Sequence, residues 1–322
     1  MRRTAVATLL ALSACGGDSP TGPGPSPSPT AGSGHPVTLI VFYDENGDRR
    51  LDESERARVP GATVEVGGRR ATTEKLTGRA VVRDVPAGPQ TAAIDATSLP
   101  PFYVAGPAAP VVVPTAAEVL LSVTLPIGVN RPNTYMTFGD SITLGEGSSD
   151  GNGYNTPLQR ALREHFGRAS VVNRGGSGTR STEGVERISR NLRLTNPAYT
   201  LVLYGTNDWV ECKGALPCIT IDSLRTILAT IRDARSLPVL GTIIPANPDR
   251  NPEERNRWLK AMNELIRGLA RDEGASLADL EAAFLREASL PPLFSDHVHP
   301  NDRGYQIMAD EFFRAITEGG GP

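Results

Sequence analysis

The chain has 322 residues and a formal net charge of −3, with 33 Gly and 27 Pro. That length suits two modest domains rather than one large core. The near-balanced charge gives no reason to expect nucleic acid as a partner, since that usually needs a basic face.

Arg2 and Arg3 precede a short apolar run, Ala5 to Leu12, which is too short to span a bilayer. The run ends in Leu12-Ser13-Ala14-Cys15 and resembles the bacterial lipobox, whose Cys is lipidated after cleavage. An ordinary secretory signal with an incidental Cys is the alternative. Residues 1–15 are therefore expected to be a lipoprotein signal with Cys15 as the lipidation site. The mature protein would be exported and membrane-anchored, each buried lipid methylene contributing about 0.8 kcal/mol. Residues 16–36, GGDSPTGPGPSPSPTAGSGHP, cannot build a core and read as a tether.

Residues 37–127 carry short β-rich runs at Val37–Tyr43, Ala62–Val66, Ala80–Val85, Thr91–Ile94, Val111–Val113 and Val119–Leu125. Gly/Pro turns separate them, so a small all-β sandwich is expected. Between the first two runs lies DENGDRRLDESE, residues 44–55. Asp44, Asn46, Asp48, Asp52 and Glu55 fall at loop positions 1, 3, 5, 9 and 12, with the Arg50 carbonyl at 7, which is calcium-loop spacing. Position 6 is Arg49 rather than the usual Gly. With Val59-Pro60-Gly61-Ala62-Thr63-Val64 following, the region resembles the calcium-binding β-sandwich repeats of bacterial surface adhesins. A structural calcium ion stiffening a spacer domain is the expectation, and a solvated acidic loop is the alternative.

Residues 131–319 change character. Strands are predicted at Tyr135–Phe138, Ser170–Val172, Thr200–Tyr204, Pro238–Ile244 and Ala275–Leu280. Helices are predicted at Thr156–Phe166, Val185–Leu192, Ile221–Ala234, Pro252–Leu269 and Asp302–Ile316. This alternation implies an α/β fold with a parallel sheet covered on both faces, and function at the C-terminal strand ends. Cys212 and Cys218, six positions apart in a loop-like stretch, are expected to pair as a disulfide in an oxidising compartment. Two unpaired thiols are the alternative.

Four features fall at those strand ends: Ser141 in Gly139-Asp140-Ser141, the run Asn173–Gly178, Gly205-Thr206-Asn207-Asp208, and Asp296-His297-Val298-His299-Pro300. An ester hydrolase needs a nucleophile, a base, an orienting group and an oxyanion hole. Of four His, His35 lies in the tether and His165 beside Phe166 in a helix, which leaves His297 and His299. Asp296, three residues before His299, can reach its Nδ1 across one tight turn, which favours His299 as base. Asp296-His297-x-His299 could also offer zinc ligands, but the remaining His are poorly placed to complete such a site. The Gly-x-Ser-x-Gly elbow of the larger α/β-hydrolases is not the pattern here.

Gly139-Asp140-Ser141, Gly178, Gly205-Thr206-Asn207-Asp208 and Asp296-x-x-His299-Pro300 resemble the four blocks of the SGNH hydrolases, also called GDSL esterases and lipases. The resemblance spans residues 134–318. It implies a five-stranded parallel sheet in an α/β/α sandwich and no cofactor for catalysis. It also implies a triad of Ser141, His299 and Asp296, with an oxyanion hole of the Ser141 and Gly178 amides plus the Asn207 side chain. Gly175 and Gly176 leave the register of the second block open, and position 179 is Thr where relatives often carry Asp. The implied substrate is a small acyl ester, and the setting of a surface lipoprotein with an adhesin-like module suits acetyl esters of carbohydrates. A lysophospholipid or thioester is the runner-up. A non-catalytic surface binder is the reading from another class.

Overall fold

Alternating apolar residues after His35 make a strand that starts inside the stretch read as tether. The computed structural model describes residues 34–318, except 56 and 76, so the lipidation expectation at Cys15 lies outside the described residues. Strand β1 (His35–Tyr43) buries Val37, Leu39 and Val41 on one face. His35 pairs with Val85 and so belongs to the sheet, not to a linker.

Next come β2 (Thr63–Val66) and β3 (Arg69–Thr72). They form a hairpin through Gly67 and Gly68, both at positive φ, as a two-residue turn demands. The composition of β3, Arg-Arg-Ala-Thr, hides it from a periodicity reading. The rest of this part is β4 (Arg79–Val85), β5 (Gly88–Ile94), β6 (Val104–Ala105), β7 (Ala109–Val113) and β8 (Val119–Thr124). Two four-stranded sheets result, ordered β4-β1-β8-β6 and β3-β2-β5-β7. Leu39, Val41 and Val123 of the first share one core with Val64, Val66 and Val113 of the second.

The second part is a parallel sheet of β9 (Arg131–Gly139), β10 (Ser170–Gly175), β11 (Pro197–Leu203), β12 (Leu237–Gly241) and β13 (Ser276–Ala278). Its order is β10-β9-β11-β12-β13. Every residue of β11 is buried, as expected of a strand covered on both faces. On one face lie α1 (Ser141–Leu144), α2 (Asn155–Phe166), α7 (Leu280–Leu285) and α8 (Asp302–Thr317), contributing Ile142, Leu158, Leu162, Phe284 and Phe312. On the other lie α3 (Ser181–Thr195), α4 (Trp209–Cys212), α5 (Ile219–Asp233) and α6 (Glu253–Asp272), contributing Ile188, Leu224, Ile227 and Met262. The short helices α1, α4 and α7 carry too few turns to show a 3.6-residue period. Strand order reverses beside β9, and in such sheets ligands bind beyond the carboxyl ends of the strands at that reversal.

Aromatic packing joins the β part to the α/β part. Tyr103 stacks on Phe166, with ring centroids 6.3 Å apart, and Phe102 meets Tyr199 edge-on at 6.2 Å. Tyr199 stacks in turn on Tyr135 of β9 at 5.2 Å. From residue 34 onward the chain is one compact unit. Tyr199→Ala is expected to cost about 3 kcal/mol, the range for truncating a large buried aromatic. Thermal unfolding should show a single transition at lower temperature; separate melting of the β and α/β parts would contradict a continuous core.

Candidate active site

At the end of β9 the chain must leave the sheet and begin a helix within two residues. A Cβ on Gly139 would collide with Thr143 Oγ1 and the Leu203 carbonyl, so the junction admits no side chain there. Asp140 caps α1, its Oδ1 accepting from Ile142 N at 3.0 Å. Ser141, the first helical residue, therefore stands at the rim. Behind it, Asn155 of α2 ties the junction together. Its Oδ1 accepts from Thr137 Oγ1 at 2.5 Å, and its Nδ2 donates to the Thr143 carbonyl at 2.9 Å. Nothing in the spacing of Asn155 marks that role.

Ser141 Oγ lies 2.9 Å from His299 Nε2, and His299 Nδ1 lies 2.7 Å from Asp296 Oδ2. The other Asp296 oxygen accepts from the backbone N–H groups of Val298 and His299, at 2.8 and 2.7 Å. Burial raises the Asp296 carboxyl, but the His299 ring and these amides outweigh it and hold it at about 2. Asn247, after β12, anchors the loop: its N–H donates to the His297 carbonyl and its Nδ2 to the Asp296 carbonyl, both at 2.9 Å. His297 is exposed, 3.7 Å from Asp296 Oδ1. His165 packs edge-on against Phe166 and Phe313, and burial lowers its pKa to about 4. Glu146 was not singled out from sequence, yet its Oε2 lies 3.4 Å from His299 Nε2.

Two amides of the second glycine block are already bonded. Gly175 N donates to Asn173 Oδ1 at 2.9 Å and Gly176 N to the Gly139 carbonyl at 3.0 Å. The Gly178 and Ser141 amides have no acceptor among the described residues. Asn207 Nδ2 donates one hydrogen to the Thr179 carbonyl at 2.9 Å, which leaves the second free. Asp208 fixes the Asn207 loop: its Oδ1 accepts from Ser181 N at 2.9 Å and its Oδ2 from Thr220 Oγ1 at 2.7 Å. Arg255 donates to the Thr206 carbonyl at 2.6 Å from the other side. Beside this loop a cavity of about 430 Å³ is lined by Trp209, Ala246, Arg250 to Arg255 and His297. Its lining is largely polar. The Ser141 hydroxyl, the His299 ring and the Asp296 carboxylate thus form one hydrogen-bonded chain, which starts just beyond the carboxyl end of β9.

The GDSL-like Lipase/Acylhydrolase family model matches residues 137–307. The chain belongs to this family. It is an ester hydrolase. It is similar to "Thioesterase 1/protease 1/lysophospholipase L1" of Escherichia coli, 29% identical over 181 residues, which span 55% of this chain and 80% of that protein. Among solved structures it is similar to an acetylxylan esterase from Geobacillus stearothermophilus, at 22% identity and a TM-score of 0.48. That match covers 60% of this chain and 97% of the other. A lipase/acylhydrolase from Enterococcus faecalis matches at 19% identity and a TM-score of 0.48, covering 59% and 100%.

The other predicted positions divide. Cys212 and Cys218 form a disulfide that closes the segment between α4 and α5 of this hydrolase. In loop 44–55 the side-chain oxygens turn onto the loop's own amides. Asp44 accepts from Gly47 and Arg49, Asn46 from Asp48, Asp48 from Arg50, and Asp52 from Ser54. Glu55 Oε1 accepts from Glu45 N at 2.8 Å. Among the described residues, no three His, Cys, Asp or Glu side chains are grouped as a metal-ligand set.

Asp140 carries an electrostatic consequence for stability. Full burial pushes its carboxyl up to about 7, against the opposing pull of Ile142 N–H and His299. Its folded value lies above the ordinary value of about 3.9, so between these values the native state binds the extra proton. The stability this group contributes is complete below about pH 4 and is lost as pH rises through about 7. Asp140→Asn, which keeps the Oδ1 acceptor, should flatten that decline in urea unfolding measured across the window. A slope unchanged from wild type would contradict the assignment.

Proposed function

We propose that this hydrolase is an exported serine esterase acting on small acyl esters, acetyl esters of carbohydrates in particular. The observation that carries the reading is the hydrogen-bond chain from Ser141 Oγ through His299 to Asp296, at 2.9 and 2.7 Å. Ser141 Oγ attacks the ester carbonyl while His299 Nε2 takes its proton. Asp296, ionised throughout, holds the ring and stabilises the imidazolium. The amides of Ser141 and Gly178 and the free N–H of Asn207 Nδ2 receive the developing oxyanion. His299 then returns the proton to the departing alcohol, and a water, activated by the same ring, releases the acid. No cofactor enters these steps.

The cavity beside the Asn207 loop supports a polar alcohol portion rather than a long acyl chain. Arg250, Glu253, Glu254 and Arg255 offer hydrogen bonds there, and Trp209 offers one aromatic face. The Escherichia coli relative, named as a thioesterase and lysophospholipase, supports the lipid reading instead. Lipid attachment at Cys15 would hold the enzyme at the cell envelope, in keeping with a disulfide at Cys212 and Cys218.

Calcium in loop 44–55 belongs to the same proposal, with Asp44, Asn46, Asp48, Asp52, Glu55 and the Arg50 carbonyl as its oxygen donors. Glu55 is only 1% exposed, and its Oε2 is buried with no partner. Among the described residues none of the carboxylates of Asp44, Asp48, Asp52 and Glu55 is in an ion pair. A hard dication suits such oxygen donors.

Turnover of p-nitrophenyl acetate should vanish in Ser141→Ala; turnover equal to wild type would remove Ser141 as nucleophile. Asn207→Ala should lower kcat by roughly 10²–10³, the usual loss for one oxyanion donor. An esterase panel should favour acetylated sugars over long-chain acyl esters, and the reverse order would turn the reading to lipids.

A further inference from the structure

We infer that the calcium loop is a clamp: an ion held at residues 44–55 fixes Glu45 and so tightens the β-sandwich onto the strand that carries the nucleophile. The inference rests on the calcium reading above and adds the coupling to the hydrolase. Glu45 sits between Asp44 and Asn46 and is not itself one of the proposed ligands. Its N–H is held by Glu55 Oε1. Its own Oε1 accepts from Asn133 Nδ2 at 2.9 Å and lies 3.5 Å from Arg168 Nη1.

Arg168 also donates to the Ser54 carbonyl at 3.1 Å, so it holds the loop near both of its ends. Asn133 lies in β9, buried, with a left-handed φ of 55°. Eight residues later that strand has delivered Ser141. Arg168 lies between α2 and β10 and thus beside the same strand pair. Without an ion, the carboxylates of Asp44, Asp48, Asp52 and Glu55 repel one another within twelve residues. A dication removes that repulsion and gives Glu55 Oε2 a partner, and the settled loop then presents Glu45 in one geometry.

Linkage makes the clamp reciprocal: if the ion favours the contact, the contact must favour the ion by the same factor. This fixes a sign that simple charge does not. Removing the Arg168 cation should tighten calcium binding if only electrostatics operate. It should weaken binding if Arg168 helps to hold the ion-competent loop.

The test is calorimetric titration of calcium chloride into the chelator-stripped full chain, beside Arg168→Ala and Glu45→Gln. Arg168 is a half-exposed side chain outside the catalytic machinery, so retained p-nitrophenyl acetate turnover certifies the variant's fold. The expected result is calcium binding by wild type, weakened in Arg168→Ala by roughly fivefold or more, the lower bound of ordinary coupling. Hydrogen exchange gives the second readout. At a calcium concentration 100 times Kd, amides of β9 whose opening releases the ion should exchange roughly 100-fold more slowly in wild type. That protection should fall in both variants. Unchanged or tighter binding in Arg168→Ala, with β9 exchange indifferent to calcium, overturns the clamp and leaves the calcium reading standing. No binding heat with wild type overturns both.

Discussion

The site depends on how the chain leaves β9. A parallel strand buried on both faces must end and a helix must begin with no intervening loop, and Gly139 makes this possible because its neighbours leave no room for a Cβ. Asp140 then spends one carboxylate oxygen on capping α1, which leaves Ser141 at the first helical position. The strand order does the rest. Because β9 lies between β10 and β11, the glycine loop and the Asn207 loop follow the strands on either side of the one that ends at Ser141. Loops from two neighbouring strands therefore come to the end of β9 as a consequence of topology.

Two carboxylates near Ser141 sit in opposed environments. Asp296 is half-exposed and receives the His299 ring and two backbone amides, which keeps it ionised. Asp140 is fully buried with one oxygen unpartnered, and burial raises its carboxyl to about 7. The pair separates two tasks. Asp296 supplies charge to the imidazole, while Asp140 supplies geometry to the helix without forcing a second full charge into the region. Glu146 adds an acceptor on the Nε2 side of the same ring. That nitrogen therefore faces an acidic group as well as the serine hydroxyl.

Much of this was legible in the chain. The buried strands read as apolar runs, the scarcity of His leaves His297 and His299, and the spacing from Asp296 favours His299. The features that escaped share a physical cause: they are contacts between residues far apart in sequence. Asn155 and Asn247 read as ordinary polar residues, and only folding shows that one pins the nucleophile turn and the other the Asp296 loop. The register of the second glycine block was open for the same reason. What separates Gly178 from Gly175 and Gly176 is which amides are already bonded. Strand β3 was lost because its arginines mask a pairing imposed by the Gly67-Gly68 turn.

The β-sandwich packs against the α/β part. Composition suggests a spacer, since a Pro- and Gly-rich stretch precedes it and short strands fill it. A spacer would expose polar side chains at its ends. Here Phe102 and Tyr103 enter a cluster with Phe166, Tyr135 and Tyr199, and Tyr135 belongs to the strand that ends at the nucleophile. Aromatic groups of this size bury large apolar area, which would be exposed if the parts separated. Glu45 adds a polar contact to the same strand through Asn133. A sandwich tied to β9 by both apolar and polar contacts cannot move freely of the catalytic sheet.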